Sequence, residues 1–236
     1  MIKLSVNVNK IATIRNARGN NVPNLLNVAL DIEKFGAEGI TVHPRPDERH
    51  IRYSDVYDLS KRITTEFNIE GYPNQKFIDL VLEVKPHQVT LVPDPPHVLT
   101  SNAGWKIKEN KELLNEVLAE FSKAGIRTAL FMEPLVFDVE QVEFVNVDRI
   151  ELYTEAYASN YANKENAIKP FIESALIASK LGVGINAGHD LSLDNLAYFK
   201  QNIPNLLEVS IGHALISDSL YFGLEKTIEL YLKELA

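Results

Sequence analysis

The sequence predicts an α/β fold in the form of one closed (β/α)8 barrel, a TIM barrel, spanning residues 1–236 as a single domain. Short β-branched runs alternate with longer segments of helical period along the whole chain. There are eight such β-then-α units, and no linker rich in Pro, Gly or Ser divides them. Eight units in 236 residues match the usual size of one barrel.

The predicted strands are short runs in which Val, Ile, Leu, Thr and Phe dominate. Such runs fit the strands of a parallel sheet, which are covered by helices on one side. They lie at residues 3–8, 39–43, 67–70, 88–92, 128–133, 149–154, 184–187 and 208–211.

The segments between these runs predict helices. Apolar residues from Leu25 to Phe35 recur at intervals of three and four, and Gly36 follows where a helix C-cap is expected. Similar stripes occur at 56–63, 77–81, 113–121 and 176–181. An open Rossmann-type sheet is the main competing fold. It is disfavoured because Val8 is followed by Asn9 and Lys10 and not by a Gly-x-Gly-x-x-Gly turn.

Composition limits the possible function. The chain has 24 basic and 32 acidic residues, a net charge of -8, which disfavours a broad surface for nucleic acid or anionic lipid. It has no cysteine, so disulfides and thiolate chemistry are excluded. Residues 1–9 lack the apolar core of a signal peptide, and no stretch has membrane-spanning length. We expect a soluble cytoplasmic protein.

Polar residues cluster at the C-terminal ends of the predicted strands, where barrel enzymes place their chemistry. They are Asn7 and Asn9, His43 and Arg45, Glu70, the segment 94–100, Glu133, Glu151 and Thr154, Asn186 with His189 and Asp190, and Gly212 with His213. The sequence therefore predicts an active site at this end of the barrel.

Two of these strand ends suit anions. After the second strand, Pro44 and Pro46 stiffen a loop that carries Arg45, Arg49 and His50, a combination typical of phosphate recognition. After the seventh and eighth strands, Gly188 and Gly212 would let the backbone approach an anion, and a helix N-terminus would add partial positive charge. We expect the ligands to be phosphorylated small molecules.

Titratable residues at these ends have structural as well as catalytic interpretations. A lone His43 would more often be a structural histidine, but three of the six histidines close predicted strands, which favours acid–base chemistry. Glu70 could bond to a lysine of a neighbouring strand or act as a desolvated base. Glu151, at an inward position, is either a member of an ion pair or a site residue.

Other residue types have weaker signals. Arg15 and Arg18 are placed in a loop at 12–19, where solvated charges are the simplest interpretation, although Arg18 could fold over the barrel mouth. A zinc site is disfavoured because the sequence has no His-x-His at the first strand and no His-x-x-x-His. A Schiff-base lysine is weakly supported, because Lys3 is the one lysine inside a predicted strand and Lys10 stands just beyond the first strand. From the residues a metal site stays open as the lesser option, and we expect neither metal nor cofactor.

Nearly the whole chain resembles the pyridoxine 5'-phosphate synthase family. The matching motifs are Val6-Asn7-Val8-Asn9-Lys10 through Arg18-Gly19, Gly39-Ile40-Thr41-Val42-His43-Pro44-Arg45 through Arg49-His50-Ile51, Asn68-Ile69-Glu70, Leu91-Val92-Pro93 with Thr100, Ile150-Glu151 through Ala158, Asn186-Ala187-Gly188-His189 and Ile211-Gly212-His213-Ala214. They occur in the family's order and spacing.

The resemblance implies condensation of 3-amino-2-oxopropyl phosphate with 1-deoxy-D-xylulose 5-phosphate, giving pyridoxine 5'-phosphate, phosphate and water. It implies that His43 and Glu70 accept protons, that His189 donates one and that Glu151 stabilises charged transition states. The implied contacts to the amino-ketone phosphate are Asn7, Arg18, Asp190, Gly212 and His213, and those to the deoxyxylulose phosphate are Asn9, Lys10, Arg45, His50 and Thr100. It also implies a homo-octamer without cofactor.

The chain departs from the family pattern beside both phosphates. Family members carry Asp-His where Asn9 and Lys10 stand, and glycine where Asp190 stands. The Asp190 carboxylate would repel phosphate, so the expected contact is through its backbone N–H. Two alternatives therefore stay open from the residues alone. One is another phosphosugar isomerase or aldolase, and the other is a non-catalytic barrel that binds phosphorylated metabolites.

Overall fold

The structure is a computed structural model that describes residues 1–93 and 103–236. Within these residues eight parallel strands close into a barrel in chain order. They are β1 Lys3–Asn7, β2 Gly39–Val42, β3 Glu66–Gly71, β4 Gln88–Leu91, β5 Arg127–Met132, β6 Arg149–Tyr153, β7 Gly184–Gly188 and β8 Leu206–Ile211. The predicted TIM barrel is confirmed, and every predicted strand overlaps an observed one.

Helices surround the barrel in the same stretches of chain. They are α1 Asn9–Arg18, α2 Leu25–Lys34, α3 Tyr53–Ser60, α4 Gln75–Val84, α5 Ile107–Lys123, α6 Val136–Glu140, α7 Glu155–Ser159, α8 Lys164–Ala167, α9 Lys169–Lys180, α10 Leu196–Asn202, α11 His213–Phe222 and α12 Leu224–Leu235. Two 3-10 turns lie at Gln141–Phe144 and Tyr161–Asn163. In the part of the chain described, none of these helices has the length and apolar character needed to cross a membrane.

Helix α1 corrects the predicted loop at 12–19. Its start is stabilised by the Asn7 side chain, whose Oδ1 accepts a hydrogen bond from the Asn9 N–H at 3.0 Å. It ends at Gly19, which adopts a left-handed φ of 74° that favours glycine. The segment is polar and buries only Ile11, Ala12 and Arg15, so its helical periodicity is weak in the sequence.

The two faces of the barrel wall differ sharply in polarity. Alternate strand residues such as Leu4, Val6, Ile40 and Val42 are fully buried in the apolar layer beneath the helices. The opposite face encloses buried polar side chains that form hydrogen bonds across the interior. For example, Asn186 Nδ2 on β7 donates to Gln88 Oε1 on β4 at 3.4 Å. This interior is a polar core rather than an apolar one.

Charged residues close the N-terminal end of the barrel. Glu66 accepts hydrogen bonds from Lys3 at 3.0 Å and from Arg127 at 2.9 Å. On the other side of the barrel, Arg149 Nη1 lies 3.3 Å from Glu208 Oε2. We call these five residues the floor network.

One proton is shared within the floor network. Burial, together with the charge of Glu66, raises the pKa of Glu208 to about 7. Burial also acts to raise the pKa of Glu66, but hydrogen bonds from Arg127 and Lys3 outweigh it, and the pKa falls to about 2. Glu208 is therefore the carboxyl that holds a proton, and Glu66 is the anion.

This arrangement makes stability depend on pH. Because the pKa of Glu208 is raised from 4.5 to about 7 on folding, the folded protein keeps a proton that the unfolded chain releases in that interval. Its stabilising contribution is complete below pH 4.5 and is lost as the pH rises to about 7. We expect Glu208→Gln, which keeps a donor for Glu66 but cannot titrate, to reduce this loss by on the order of 1 kcal/mol or more.

The measurement is urea unfolding of both proteins at pH 5 and pH 8. Glu229→Gln serves as the control, because Glu229 is exposed and pairs only with the neighbouring helical residue Lys226 among the ion pairs of the described chain. Equal pH dependence in Glu208→Gln and in the unsubstituted protein would show that Glu208 does not hold the proton.

Candidate active site

A cavity of about 830 Å³ opens at the C-terminal ends of the strands. Of the residues to which the family resemblance assigns a site role and that the structure describes, all but Arg18 line it. They are Asn7, Asn9, Lys10, His43, Arg45, His50, Glu70, Glu151, His189, Asp190, Gly212 and His213. Of the other polar or glycine residues predicted at strand ends, Arg49 lines the cavity, whereas Glu133, Thr154, Asn186 and Gly188 do not. The cavity lies where the sequence predicts the active site.

His43 and Glu70 form a pair at the ends of β2 and β3. His43 Nδ1 lies 3.9 Å from Glu70 Oε2, and Asn7 Nδ2 donates to the same oxygen at 3.3 Å. Burial, and then the charge of Arg45, lower the pKa of His43 well below its usual value. His43 is therefore neutral at physiological pH, as a proton acceptor must be.

Asn9 fixes the backbone of this pair. Its Oδ1 accepts a hydrogen bond from the His43 N–H at 3.0 Å. An aspartate carboxylate at the same position could accept the same bond. The amide thus keeps the contact that orients His43, while Lys10 beside it places a cation in the cavity wall.

The loop after β2 supplies three cationic or titratable side chains, Arg45, Arg49 and His50, to one side of the cavity. The His50 ring meets the His43 ring edge-on, with centroids 6.2 Å apart. Burial, followed by the charge of Arg45, lowers the pKa of His50 to about 4. Its Nδ1 accepts a hydrogen bond from the Ile51 N–H at 2.8 Å, which leaves Nε2 as the nitrogen able to donate to an anion.

Helix α1 holds this loop in place. Asn16 Nδ2 donates to the His50 carbonyl at 2.8 Å, and Arg15 Nη2 donates to it at 3.2 Å. Arg15 also makes a two-point contact with Asp55, at 2.6 and 2.8 Å. The expectation of a solvated Arg15 is wrong, since the residue is only 3% exposed. A sequence-distant partner, 40 positions away, compensates its charge.

Glu151 projects into the barrel interior below His43 and Glu70 and is 2% exposed. Burial, and then the charges of Glu70 and Glu208, raise its pKa well above the usual value. Gly188 makes room for it, because a Cβ at position 188 would overlap Glu151 Oε1. Glu151 lines the cavity as a neutral acid, which favours the site interpretation over the ion-pair one.

His189 directly follows the C-terminal end of β7 and has an unusual backbone φ of 92°. Its Nδ1 lies 2.5 Å from Asp190 Oδ2, and its ring meets Tyr153 edge-on at 5.2 Å. Burial acts to lower the pKa of His189, but the hydrogen bond and charge of Asp190 outweigh it and raise the pKa. Within one cavity the pKa of His43 is thus lowered and the pKa of His189 is raised.

The backbone around Asp190 is also fixed. The Asp190 N–H donates to Thr154 Oγ1 at 3.1 Å, and that hydroxyl donates to the Gly188 carbonyl at 2.8 Å. A phosphate contact through the Asp190 N–H would have to displace Thr154. The remaining glycine position, Gly212, stands at the N-terminus of α11, where the helix dipole favours an anion.

Two predicted residues are not among the lining residues that the structure describes. Arg18 is exposed in the last turn of α1 and does not line the cavity. Thr100 lies outside the described residues.

Sequence reasoning missed four lining residues, namely Thr13, Val92, Phe131 and Ser210. Ser210 could have been found from the inward alternation of β8. The apolar Val92 and Phe131 give no signal, because strand residues of this type fit either face of the wall.

The cavity residues themselves can transfer protons and hold anions. His43, Glu70, Glu151 and His189 supply the titratable groups, and cations and backbone donors line the wall between them. The described residues contain no cluster of three or more His, Asp or Glu side chains placed to hold a metal ion.

Comparisons with known proteins identify the family of the chain. The model of the family "Pyridoxal phosphate biosynthesis protein PdxJ" matches residues 4–236. A pyridoxine 5'-phosphate synthase of Flavobacterium johnsoniae is 61% identical over 236 residues, which cover 100% of both chains. One of Bacteroides fragilis is 64% identical over 235 residues, which cover 98% of both chains.

Solved structures show the same fold at low sequence identity. Phosphoribosyl anthranilate isomerase of Thermotoga maritima has a TM-score of 0.64 at 14% identity, over 100% of this chain and 98% of its own. Tryptophan synthase of M. tuberculosis has a TM-score of 0.68 at 12% identity, over 100% of this chain and 94% of its own. At these identities the likeness concerns the barrel alone.

Proposed function

The chain belongs to the PdxJ family and is an enzyme of vitamin B6 biosynthesis that makes pyridoxine 5'-phosphate. From this premise we propose that its cavity condenses 3-amino-2-oxopropyl phosphate with 1-deoxy-D-xylulose 5-phosphate, releasing phosphate and water. The observation that carries the proposal is the placement of a neutral His43, beside Glu70, in the same cavity as a His189 whose pKa is raised.

The chemistry needs acids and bases of complementary protonation. Amine and ketone lose water to form an imine, and protons then move between carbon and oxygen as phosphate leaves. An aldol step closes the ring, and loss of a second water makes it aromatic. Neutral His43 and Glu70 accept protons, and His189 donates one to a leaving oxygen. Each positioned transfer is worth roughly 10²- to 10⁴-fold in rate, so the work is shared.

Glu151 acts at the bottom of the cavity. The family resemblance assigns it to stabilisation of charged transition states. Its raised pKa supports a specific form of that role, in which the protonated carboxyl donates a hydrogen bond to oxygen atoms that gain negative charge.

Two phosphate sites serve the two substrates. Arg45 and His50, with Asn9 and Lys10, bind the deoxyxylulose phosphate, and the Gly212–His213 helix start with Asn7 binds the amino-ketone phosphate. The positions of these groups on the cavity wall, at the ends of β1, β2 and β8, support this division. The resemblance also assigns substrate contacts to Arg18, which is exposed and does not line the cavity, and to Thr100, which lies outside the described residues; both contacts stay predictions.

The first test is the activity of Glu70→Gln and His43→Ala. We expect each to lower kcat by roughly 10²- to 10⁴-fold, because each removes a proton acceptor. Pyridoxine ring absorbance and stoichiometric phosphate release measure the rate with both substrates present. Glu120→Gln on the exposed side of α5 is the control and keeps full activity. Unchanged rates in both site variants would overturn the assignment, and turnover with a single substrate would instead indicate an isomerase.

The second test separates the phosphate sites. Arg45→Gln removes charge-assisted hydrogen bonds, so we expect it to raise the KM for 1-deoxy-D-xylulose 5-phosphate by about 10-fold or more, with a smaller effect on the other KM. His213→Gln should have the reverse pattern. Steady-state kinetics with each substrate varied in turn measures both. The same KM change in both variants would contradict two separate sites.

We also propose a homo-octamer in the cytoplasm. The exposed apolar residues Leu220, Tyr221 and Phe222, at 74%, 87% and 53% exposure, support assembly because isolated chains rarely expose such a group together. Sedimentation velocity should give a mass of eight 26.5 kDa chains. A monomer at micromolar concentration would refute the octamer.

The cysteine-free sequence supports the cytoplasmic location, which cell fractionation tests.

A further inference from the structure

We propose that Asp190 is a positioning residue that orients the His189 ring, directs its Nε2 toward the substrates and keeps it ready to donate a proton. The proposal deepens the proposed function and rests on it, since His189 is the proton donor there. It reassigns Asp190, at which the family pattern has glycine, from a phosphate contact to a partner of the catalytic histidine.

The hydrogen bonds of Asp190 support this role. Its Oδ2 lies 2.5 Å from His189 Nδ1, and its backbone N–H is bonded to Thr154 Oγ1 at 3.1 Å. The backbone N–H and one carboxylate oxygen of Asp190 are therefore engaged within the protein. With Nδ1 held by a carboxylate, the ring presents Nε2 as its free donor position.

The His189 backbone is held in a conformation that needs such support. A φ of 92° is rarely adopted by a residue with a side chain, and it persists where the surroundings determine it. Thr154 bonds the residues on either side of His189, since it contacts the Gly188 carbonyl and the Asp190 N–H. The Tyr153 ring packs against the His189 ring nearly at a right angle, with centroids 5.2 Å apart. The hydrogen bond between His189 Nδ1 and the Asp190 carboxylate then fixes the rotation of the His189 ring.

The charges around His189 show what Asp190 adds. Burial lowers the pKa of His189, and the nearby cation Lys10 acts in the same direction. Asp190 raises the pKa by its hydrogen bond and its charge, and the Glu70 carboxyl contributes to the increase. Without Asp190 the balance shifts toward the neutral ring, which cannot act as an acid.

A direct phosphate role for the Asp190 side chain conflicts with electrostatics. A carboxylate beside a phosphate dianion is repelled, and neutralising it would strengthen substrate binding. The two roles thus predict opposite results. Loss of a positioning carboxylate lowers kcat at neutral and basic pH, whereas loss of a repelling carboxylate lowers KM.

The experiment follows the His189 ring by NMR in protein with labelled histidine, the His189 signal being assigned from its absence in His189→Gln. We expect Asp190→Asn to lower the His189 pKa by about one unit or more. The pKa that describes the basic limb of the kcat–pH profile should fall by the same amount. Asp194→Asn, which removes a carboxylate four residues away on an exposed position, is the control and leaves both unchanged.

A second variant separates orientation from charge. The amide oxygen introduced by Asp190→Asn can still accept a bond from Nδ1–H, so this variant should keep kcat within about twofold of the original at acidic pH, where His189 is protonated. Asp190→Ala loses the acceptor and should lose about 10-fold or more in kcat at every pH. It also provides the pKa measurement if Asp190→Asn alters the circular dichroism spectrum.

The results decide the proposal independently of the reaction. An unchanged His189 pKa in Asp190→Asn and Asp190→Ala overturns it. So does a lower KM for the amino-ketone phosphate with an unmoved pH profile, which would assign Asp190 to substrate repulsion. If the unsubstituted enzyme lacks synthase activity but its His189 pKa falls on substitution of Asp190, the pairing stands and only the proposed function fails.

Discussion

The barrel depends on charge held inside a closed sheet. At its floor Glu66 is surrounded by Lys3 and Arg127 and shares a proton with Glu208, which in turn contacts Arg149. Gln88 and Asn186 extend these contacts. In the part of the chain described, the contacts join every strand except β2. A buried ion is tolerated only when its partners are in place, so the closed ring of strands and the paired charges require each other.

Neighbouring charges also decide which groups are protonated at the mouth of the barrel. His43 and His189 are chemically identical side chains in one cavity, yet Arg45 stands beside the first and Asp190 beside the second. Burial acts on both in the same direction, so the neighbouring charge makes the difference. Glu151 extends the contrast, since the charges that act on its pKa are those of other carboxyls. Within one cavity the pKa of His43 is thereby lowered, and those of Glu151 and His189 are raised.

Strand positions and most of the cavity wall could be predicted from the sequence, because alternation and strand ends are local signals. The contacts of Arg15 could not, since Asp55 lies 40 positions away and α1 shows little apolar periodicity. The floor network was missed for the same reason, as Glu66 lies 63 positions from Lys3 and 61 from Arg127, and these residues meet only after the barrel closes. The His189–Asp190 pair is adjacent in sequence, but its hydrogen bond depends on a backbone angle that the residue types do not specify.

The tight space at Gly188 has an evolutionary consequence. A Cβ at position 188 would overlap the Glu151 carboxyl and would also crowd the backbone carbonyl of Ser210 on β8. A lineage that replaced the glycine would have to displace the buried acid and shift β8 as well, so loss of the acid alone would not free the position. The glycine should therefore outlast the acid in descendants of this barrel, because the neighbouring strand by itself excludes a side chain.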